Sequence, residues 1–297
     1  MEKIIGSKIS AADALNNLEF VRKSKDEAKK YEWLYHCTSV EALISVIENR
    51  EMWLSNLKFV NDKEEVGRID VEEYEKAYYV ACFTYDSDIT DEHWREYGQS
   101  ENKVLFGVKT SWFKKKLSFI DTNHTKIDDN CFKICNSYDE AIDYQVKSIK
   151  NGKNVPPPYY VIDYGFYKVI YDDVLKKNIK SKATWMIDGV HLEGAAIVPT
   201  ITGIIKSTHG ICIRNGKDKY DKDWTSEKEV RLKIGVDTNN KQIKDIGVFY
   251  RQMAIQLSDI AFSELPIKFS PDMNLEQREK SLKRIKSTLP GANVYEI

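Results

Sequence analysis

The chain has 297 residues, of which 42 % are hydrophobic and 31 % charged, so it can bury a core under a charged surface and general disorder is excluded. The formal net charge is −1, which gives no global field toward nucleic acid or an anionic membrane. The five cysteines (Cys37, Cys82, Cys131, Cys135, Cys212) are odd in number in a chain far longer than disulfide scaffolds. They read as reduced thiols and place the protein in the cytoplasm. Alternation puts Cys131 and Cys135 on one strand face, with no further ligands at metal-binding spacing, so no metal is expected. Residues 1–7 have no apolar core of signal-peptide length, and no apolar run approaches the ~20 residues of a membrane span.

In chain order, Ser10 caps a predicted amphipathic helix to Lys30, with Ala14, Leu15, Leu18 and Val21 at helical spacing. Glu32 to Tyr35 reads as a short strand. Thr38 and Glu41 fit a capping box, and Val40, Leu43, Ile44 and Ile47 extend that helix to about Arg50. A brief strand covers Met52 to Leu54, and Asn61-Asp62 can cap a helix carrying Glu64, Glu65, Val66 and Ile69. Ala77 to Thr84 reads as a buried strand, Asp91 to Tyr97 as a surface helix bearing Trp94, and Lys103 to Val108 as a strand. After the Pro156-Pro157-Pro158 loop, Tyr159 to Tyr171 forms one or two strands, and Asp172 to Ser207 is expected to be mostly helical, interrupted near Pro199. Glu229 to Ile234 alternates Val230, Leu232 and Ile234 inward with Arg231 and Lys233 outward. Met253 to Phe262 is a further strand, Asn274 to Thr288 a helix, and Val294 to Ile297 a last strand. The expected architecture is one α+β domain over 1–297: an N-terminal helix at 8–30, then a core at 31–297 around a central, mainly antiparallel sheet.

Three segments carry possible chemistry. His36, at a strand end beside a helix start, suits a ligand site, or it is a structural histidine satisfying a local carbonyl. Glu227 and Glu229, two apart, can do acid/base work or steady a developing positive charge, or they form an exposed strand end. The aromatic stretch Tyr78 to Thr84 can wall a flat ring or simply pack in a core. The chain has no Walker loop, dinucleotide glycine fingerprint, nucleophile elbow or paired-histidine zinc motif.

The order and spacing of Tyr35-His36-x-Thr38-Ser39, Trp53-Leu54-Ser55, Asn61-Asp62-x-x-Glu65, Cys82-Phe83-Thr84, Trp94-x-x-Tyr97 and Trp224-x-x-Glu227-x-Glu229-x-Arg231-Leu232 resemble a widespread prokaryotic family of unknown function. His36-Cys37-Thr38 and Glu227-Lys228-Glu229-Val230 also resemble ADP-ribosyltransferases, although Cys37 stands where those proteins have glycine. That resemblance implies an ADP-ribosyltransferase-like sheet and NAD as substrate. His36 would bond the adenine-side ribose, the Cys37 backbone would bond the nicotinamide amide, and Glu229 would grip the nicotinamide ribose. It further implies that His36 and Glu229 sit on neighbouring strands facing one pocket, their side chains roughly 5–12 Å apart. Tyr35, Trp53, Tyr78 or Phe83 would wall that pocket, Thr38 or Ser39 would sit at its rim, and Cys82-Phe83-Thr84 would end the middle strand beside it. The reading is an NAD-dependent transferase or NAD glycohydrolase, of the kind found in bacterial defence or toxin effectors, with an acceptor that is protein or nucleic acid. Two alternatives stand: a non-catalytic nucleotide- or protein-binding module on the same fold, and a nucleic-acid-binding protein using Lys114 to Lys116 and Lys176 to Lys182.

Overall fold

In the computed structural model of the protein, residues 11–60, 78–97, 102–127, 133–155, 157–173, 184–187, 190–193, 203–214, 218–238 and 250–297 are described. Helix α1 (Ala11–Ala28) matches the expected N-terminal helix; its cap candidate Ser10 lies outside the described residues. Strand β1 (Leu34–Ser39) runs past the expected Tyr35 end, because all six of its residues pair with β4 (Lys103–Val108). Helix α2 (Val40–Asn49) therefore starts later than expected. Its cap is Ser39, whose Oγ accepts from the Ala42 N–H, and the predicted Thr38–Glu41 capping box is not what starts it. Strand β2 (Glu51–Asn56) and strand β3 (Tyr78–Thr84) follow, and the expected Asn61-Asp62 helix lies outside the described residues.

Helix α3 (Asp91–Glu96) is capped by Thr90 and buries Trp94. Several elements lie where none was expected, among them the strand and helix that come next and the later strands His209–Arg214, Asp218–Asp223 and Glu264–Phe269. Strand β5 (Phe113–Ile120) covers the lysine run, and its Phe113, Leu117 and Phe119 turn inward. Helix α4 (Tyr138–Lys150) is capped by Ser137 and follows the two-residue β6 (Ile134–Cys135). Strands β7 (Tyr159–Lys168) and β8 (Ile170–Tyr171) match the aromatic stretch.

The expected helix over Asp172 to Ser207 is overturned where it can be described. There the chain forms the hairpin β9 (Thr184–Ile187) and β10 (Val190–Glu193), then β11 (Ile205–Lys206), which pairs with β8. Thr184-Trp185-Met186-Ile187 is rich in strand formers, and Asp188-Gly189 carries the two-residue hairpin signal. The hairpin β12 (His209–Arg214) and β13 (Asp218–Asp223) leads into β14 (Glu229–Thr238). Strand β15 (Gln252–Leu257) ends short of the expected Phe262. Then come β16 (Glu264–Phe269), α5 (Leu275–Thr288) with a complete Asn274–Gln277 capping box, and β17 (Asn293–Glu296).

The architecture is α+β, built on an 11-stranded, mostly antiparallel sheet. One arm runs β3-β1-β4-β16-β17, and the other runs from β6 through β7, β14, β3, β2 and β15 to β5. The second arm curls back on itself. Phe113 of β5 meets Phe166 of β7 at 5.2 Å between ring centroids, and Phe119 meets Tyr159 at 4.9 Å. The face inside the curl carries Phe83, Phe106, Val230, Leu232 and Ile234, and buried residues of α2 and α5 join the same core. The other face of β7 is covered by α1 through Val21. No helix among the described residues is long and apolar enough to cross a membrane.

Candidate functional site

The N-terminal end of β14 is where the chemistry-bearing residues converge. Trp224–Glu227 forms one 3₁₀ turn and Lys228 adopts a left-handed φ of 48°, so the chain bends between Glu227 and Glu229. The two carboxylates thus meet through a turn, and not through the strand alternation expected from their spacing. Neither is exposed: Glu227 is 3 % and Glu229 4 % accessible.

Buried cations hold both. The Arg231 Nε donates to Glu229 Oε1 at 2.6 Å and its Nη2 to Oε2 at 3.2 Å. The Lys206 Nζ bridges the pair, 3.2 Å from Glu229 Oε2 and 2.9 Å from Glu227 Oε2. The Lys222 Nζ donates to Glu227 Oε1 at 2.8 Å and also reaches Glu96 of α3. The Tyr97 hydroxyl donates to Glu227 and the Tyr220 hydroxyl to Glu96. Three carboxylates therefore meet three cations inside the protein. Such a cluster survives burial only because its charges are paired and hydrogen-bonded. Burial alone would raise the Glu227 carboxyl, but Lys206 and Lys222 outweigh it and hold the group below the usual carboxylate range. Burial pushes the Tyr97 phenol well up, and Glu227 pushes it further, so its hydroxyl stays a donor. The Cys82 thiol also donates to Glu229, and burial keeps it protonated. Burial lowers the nearby His93 imidazole to about 4, against the pull of Glu227. Helix α3 is therefore less of a surface helix than its charges suggested, since Trp94 and the Glu96 side chain are buried.

Trp224 lies between the two lysines, with Lys206 Nζ 4.1 Å and Lys222 Nζ 4.7 Å from its ring. Among the described residues its indole Nε1 is buried without a hydrogen-bond partner, and so is the Tyr171 hydroxyl. Tyr171 is the register partner of Lys206 across β8 and β11, so both unpartnered groups flank that lysine. A buried donor without an acceptor costs about 1–3 kcal/mol.

The structure separates His36 from Glu229. Tyr35 pairs with Thr84 and Thr84 with Glu229, so these three form one row across β1, β3 and β14 and share a face. His36 is one residue on, so it points to the other face. There it pairs with Phe106, and its ring lies 5.7 Å from those of both Phe83 and Phe106. Its Nδ1–H donates to the Cys82 carbonyl at 2.8 Å, and burial lowers its pKa. β3 lies between β1 and β14, so the two strands are not neighbours; they are two spacings, about 10 Å, apart. The expected shared pocket for His36 and Glu229 is therefore overturned, because a one-residue step along a strand reverses the face.

Among the other candidates, Tyr35 and Cys37 lie on the Glu229 side, packed with Trp94, Leu105 and Tyr97. The Cys37 thiol donates to the Tyr97 carbonyl, and burial pushes its pKa up to about 12. Thr84 is buried in the Glu229 row, and its Oγ1 accepts from the Asp86 N–H. Thr38 follows the His36 parity, Ser39 is committed to capping α2, and Trp53 stacks on His124 outside this cluster. Phe83 lies in the core with His36, and Tyr78 packs on Lys233. Lys206 and Lys222 carried no signal of their own in the sequence. Tyr97, Trp224 and Arg231 did, as members of the motifs quoted above. Cys131 and Lys176 to Lys182 lie outside the described residues, and Cys135 is a buried strand cysteine. Among the described residues no group of three or more His, Cys, Asp or Glu is placed to hold a metal. No protein-family model, no curated protein and no solved structure matches the chain.

Proposed function

We propose that the protein is a nucleotide-binding module that holds its ligand beside Lys206 without turning it over. The pair of unpartnered buried donors, Trp224 Nε1–H and Tyr171 O–H, carries this reading. A carboxylate that grips a ribose in a transition state needs lone pairs to spare, and those of Glu229 already accept from Arg231, Lys206 and Cys82. What the site leaves over is donors next to a cation. Donors beside a cation suit a ligand rich in acceptors, such as the ribose and phosphate oxygens of NAD or ADP-ribose. Calorimetric titration with NAD and with ADP-ribose tests the reading. Saturable binding that is lost in Trp224→Phe, which keeps the ring and removes the N–H, is the expected result. No binding of either compound to the folded protein would refute it.

One observation favours a second reading, an NAD-using transferase or glycohydrolase. Tyr35, Cys37, Thr84 and Glu229 do share one face. In that reading Glu229 exchanges Lys206 or Arg231 for the nicotinamide ribose when NAD enters. Incubation with labelled NAD, with and without cell extract, separates the two. Nicotinamide release or label transfer that disappears in Glu229→Gln would establish the enzyme, and intact NAD after incubation supports the binding module.

A further inference from the structure

Of the three carboxylates in the charge network, Glu96 is held differently from the other two. Glu227 and Glu229 are buried as whole residues. The Glu96 side chain is 7 % exposed, yet the residue as a whole is only half-buried, so its backbone lies at the surface and the side chain dips inward. Inside, the carboxylate meets two donors. Tyr220 and Lys222 stand two apart on β13 and share a face. The Tyr220 hydroxyl donates to one Glu96 oxygen and the Lys222 Nζ to the other. Tyr220 is half-buried, whereas the Lys222 side chain is 2 % exposed. The seat under Glu96 therefore starts at the surface and ends on a buried cation.

We propose that the Tyr220 hydroxyl and the Lys222 ammonium form a phosphate seat, which Glu96 fills as an internal stand-in until a phosphorylated ligand arrives. Helix α3 does not depend on Glu96 to stay in place. Trp94 packs with Cys37 and Leu105, and the Lys103 Nζ donates to the Trp94 carbonyl. A change of side-chain rotamer thus carries the Glu96 carboxylate to water while α3 stays docked. Among the described residues that leaves three cations, Lys206, Lys222 and Arg231, facing two carboxylates, Glu227 and Glu229. A buried excess of positive charge is costly, and an entering anion removes it. Phosphate oxygens accept from both donors, as the Glu96 oxygens do. The ring of Trp224 lies 4.7 Å from the Lys222 Nζ and 4.1 Å from the Lys206 Nζ, so the seat adjoins the place assigned above to a nucleotide. The choice of phosphate among anions rests on that nucleotide reading, whereas the seat itself rests on the Glu96 contacts.

The test titrates inorganic phosphate, acetate and ADP-ribose by calorimetry, at constant ionic strength, into the full wild-type chain and into Glu96→Ala. The variant keeps Glu227 on Lys222, so its circular dichroism should match wild type. An internal occupant weakens binding by the fraction of time the seat is vacant, so phosphate should bind Glu96→Ala roughly tenfold tighter or more, and ADP-ribose should gain by a similar factor. The gain should vanish when Lys222→Met is added. A second readout needs no variant: phosphate should speed hydrogen exchange at residues 91–97 of the wild-type chain, because α3 loses its tie to β13. Equal phosphate affinity in wild type and Glu96→Ala, tighter binding of acetate than of phosphate, or exchange at α3 unmoved by phosphate would each overturn the proposal. A phosphate gain without any ADP-ribose binding would uphold the seat and refute the nucleotide. ADP-ribose binding equally to both chains would uphold the nucleotide and refute the seat.

Discussion

The two faces of β14 are equally buried and chemically opposite. Val230, Leu232 and Ile234 sit in the main core, while Glu229, Arg231 and Lys233 sit on the other face, none more than 4 % exposed. On the apolar face burial itself is the stabilising term, about 1.5–3 kcal/mol for each large side chain. On the charged face burial is the cost, and pairing offsets it. Lys233 shows this locally. Burial lowers its pKa, yet Asp163 lies 3.0 Å away and the rings of Tyr78 and Tyr167 lie 4.6 and 5.4 Å from its Nζ. Equal burial therefore means sensitivity to volume change on one face and to charge change on the other.

The largest effect should come from breaking the charged face on one side only. Arg231→Ala leaves Glu229 buried without the two hydrogen bonds Arg231 gives it, and should cost about 3–5 kcal/mol in urea unfolding. Leu232→Ala, one residue on, should cost about 2–5 kcal/mol through its cavity. The contrast lies in the rescue. Glu229→Gln combined with Arg231→Met should recover much of the first loss, since removing both charges of a pair is far cheaper than removing one. If the double variant is no more stable than Arg231→Ala, the charged face is not a pairing network.

A smaller effect is expected from pH, and only through the charged face. His93 has a folded pKa near 4, below the ~6.5 of an unfolded histidine. The unfolded chain therefore takes up the proton first as pH falls. Stability should be full above about pH 6.5 and fall between there and pH 4, by at most about 3 kcal/mol. The Glu227 carboxyl is also lowered, so it adds a further loss below the ordinary carboxylate range. Urea midpoints in wild type and His93→Gln between pH 4 and 7 check this, and an unchanged slope in the variant would reassign the titration.

The smallest effect belongs to β1, where face and cap are decided together. Ser39→Ala should cost about 1 kcal/mol, the value of a helix cap, and Thr38→Ala appreciably less. A larger loss at Thr38 would put the start of α2 one residue earlier.

That last pair of residues shows where the sequence stops being legible. Thr38 and Ser39 are both good caps, and local chemistry does not choose between them. The choice is made by β4, whose six-residue pairing with β1 comes from about 70 residues further along and carries His36 into mid-strand. Elements with strong internal periodicity, such as α2, β3, β4 and α5, are visible without that information. The alternation of β14 is visible too, but alternation does not say whether a polar face meets water. Arg231 and Lys233 read as outward because the groups that meet them from elsewhere, the Gly203 carbonyl and Asp163, lie on other elements. The charge network was half legible. Glu227 and Glu229 stand out by spacing and resemblance, whereas Lys206 and Lys222 look like any other lysines. The β5 strand was hidden by its lysine run, although Phe113, Leu117 and Phe119 share one side of it, with only Lys115 breaking the alternation.

The central position of β14 also has a consequence in time. Its register partners on β3, Thr84 for Glu229 and Tyr78 for Gly235, leave the ribosome about 150 residues earlier. Until residues 229–238 are made, β3 waits with one edge unclaimed and with Tyr78, Tyr79 and Phe83 unshielded by the strand that will cover it. Closing so long a loop is slow, and the interval exposes an apolar edge to other nascent chains. Refolding should therefore be concentration-sensitive well before it is denaturant-sensitive, and a chain cut short of β14 should aggregate.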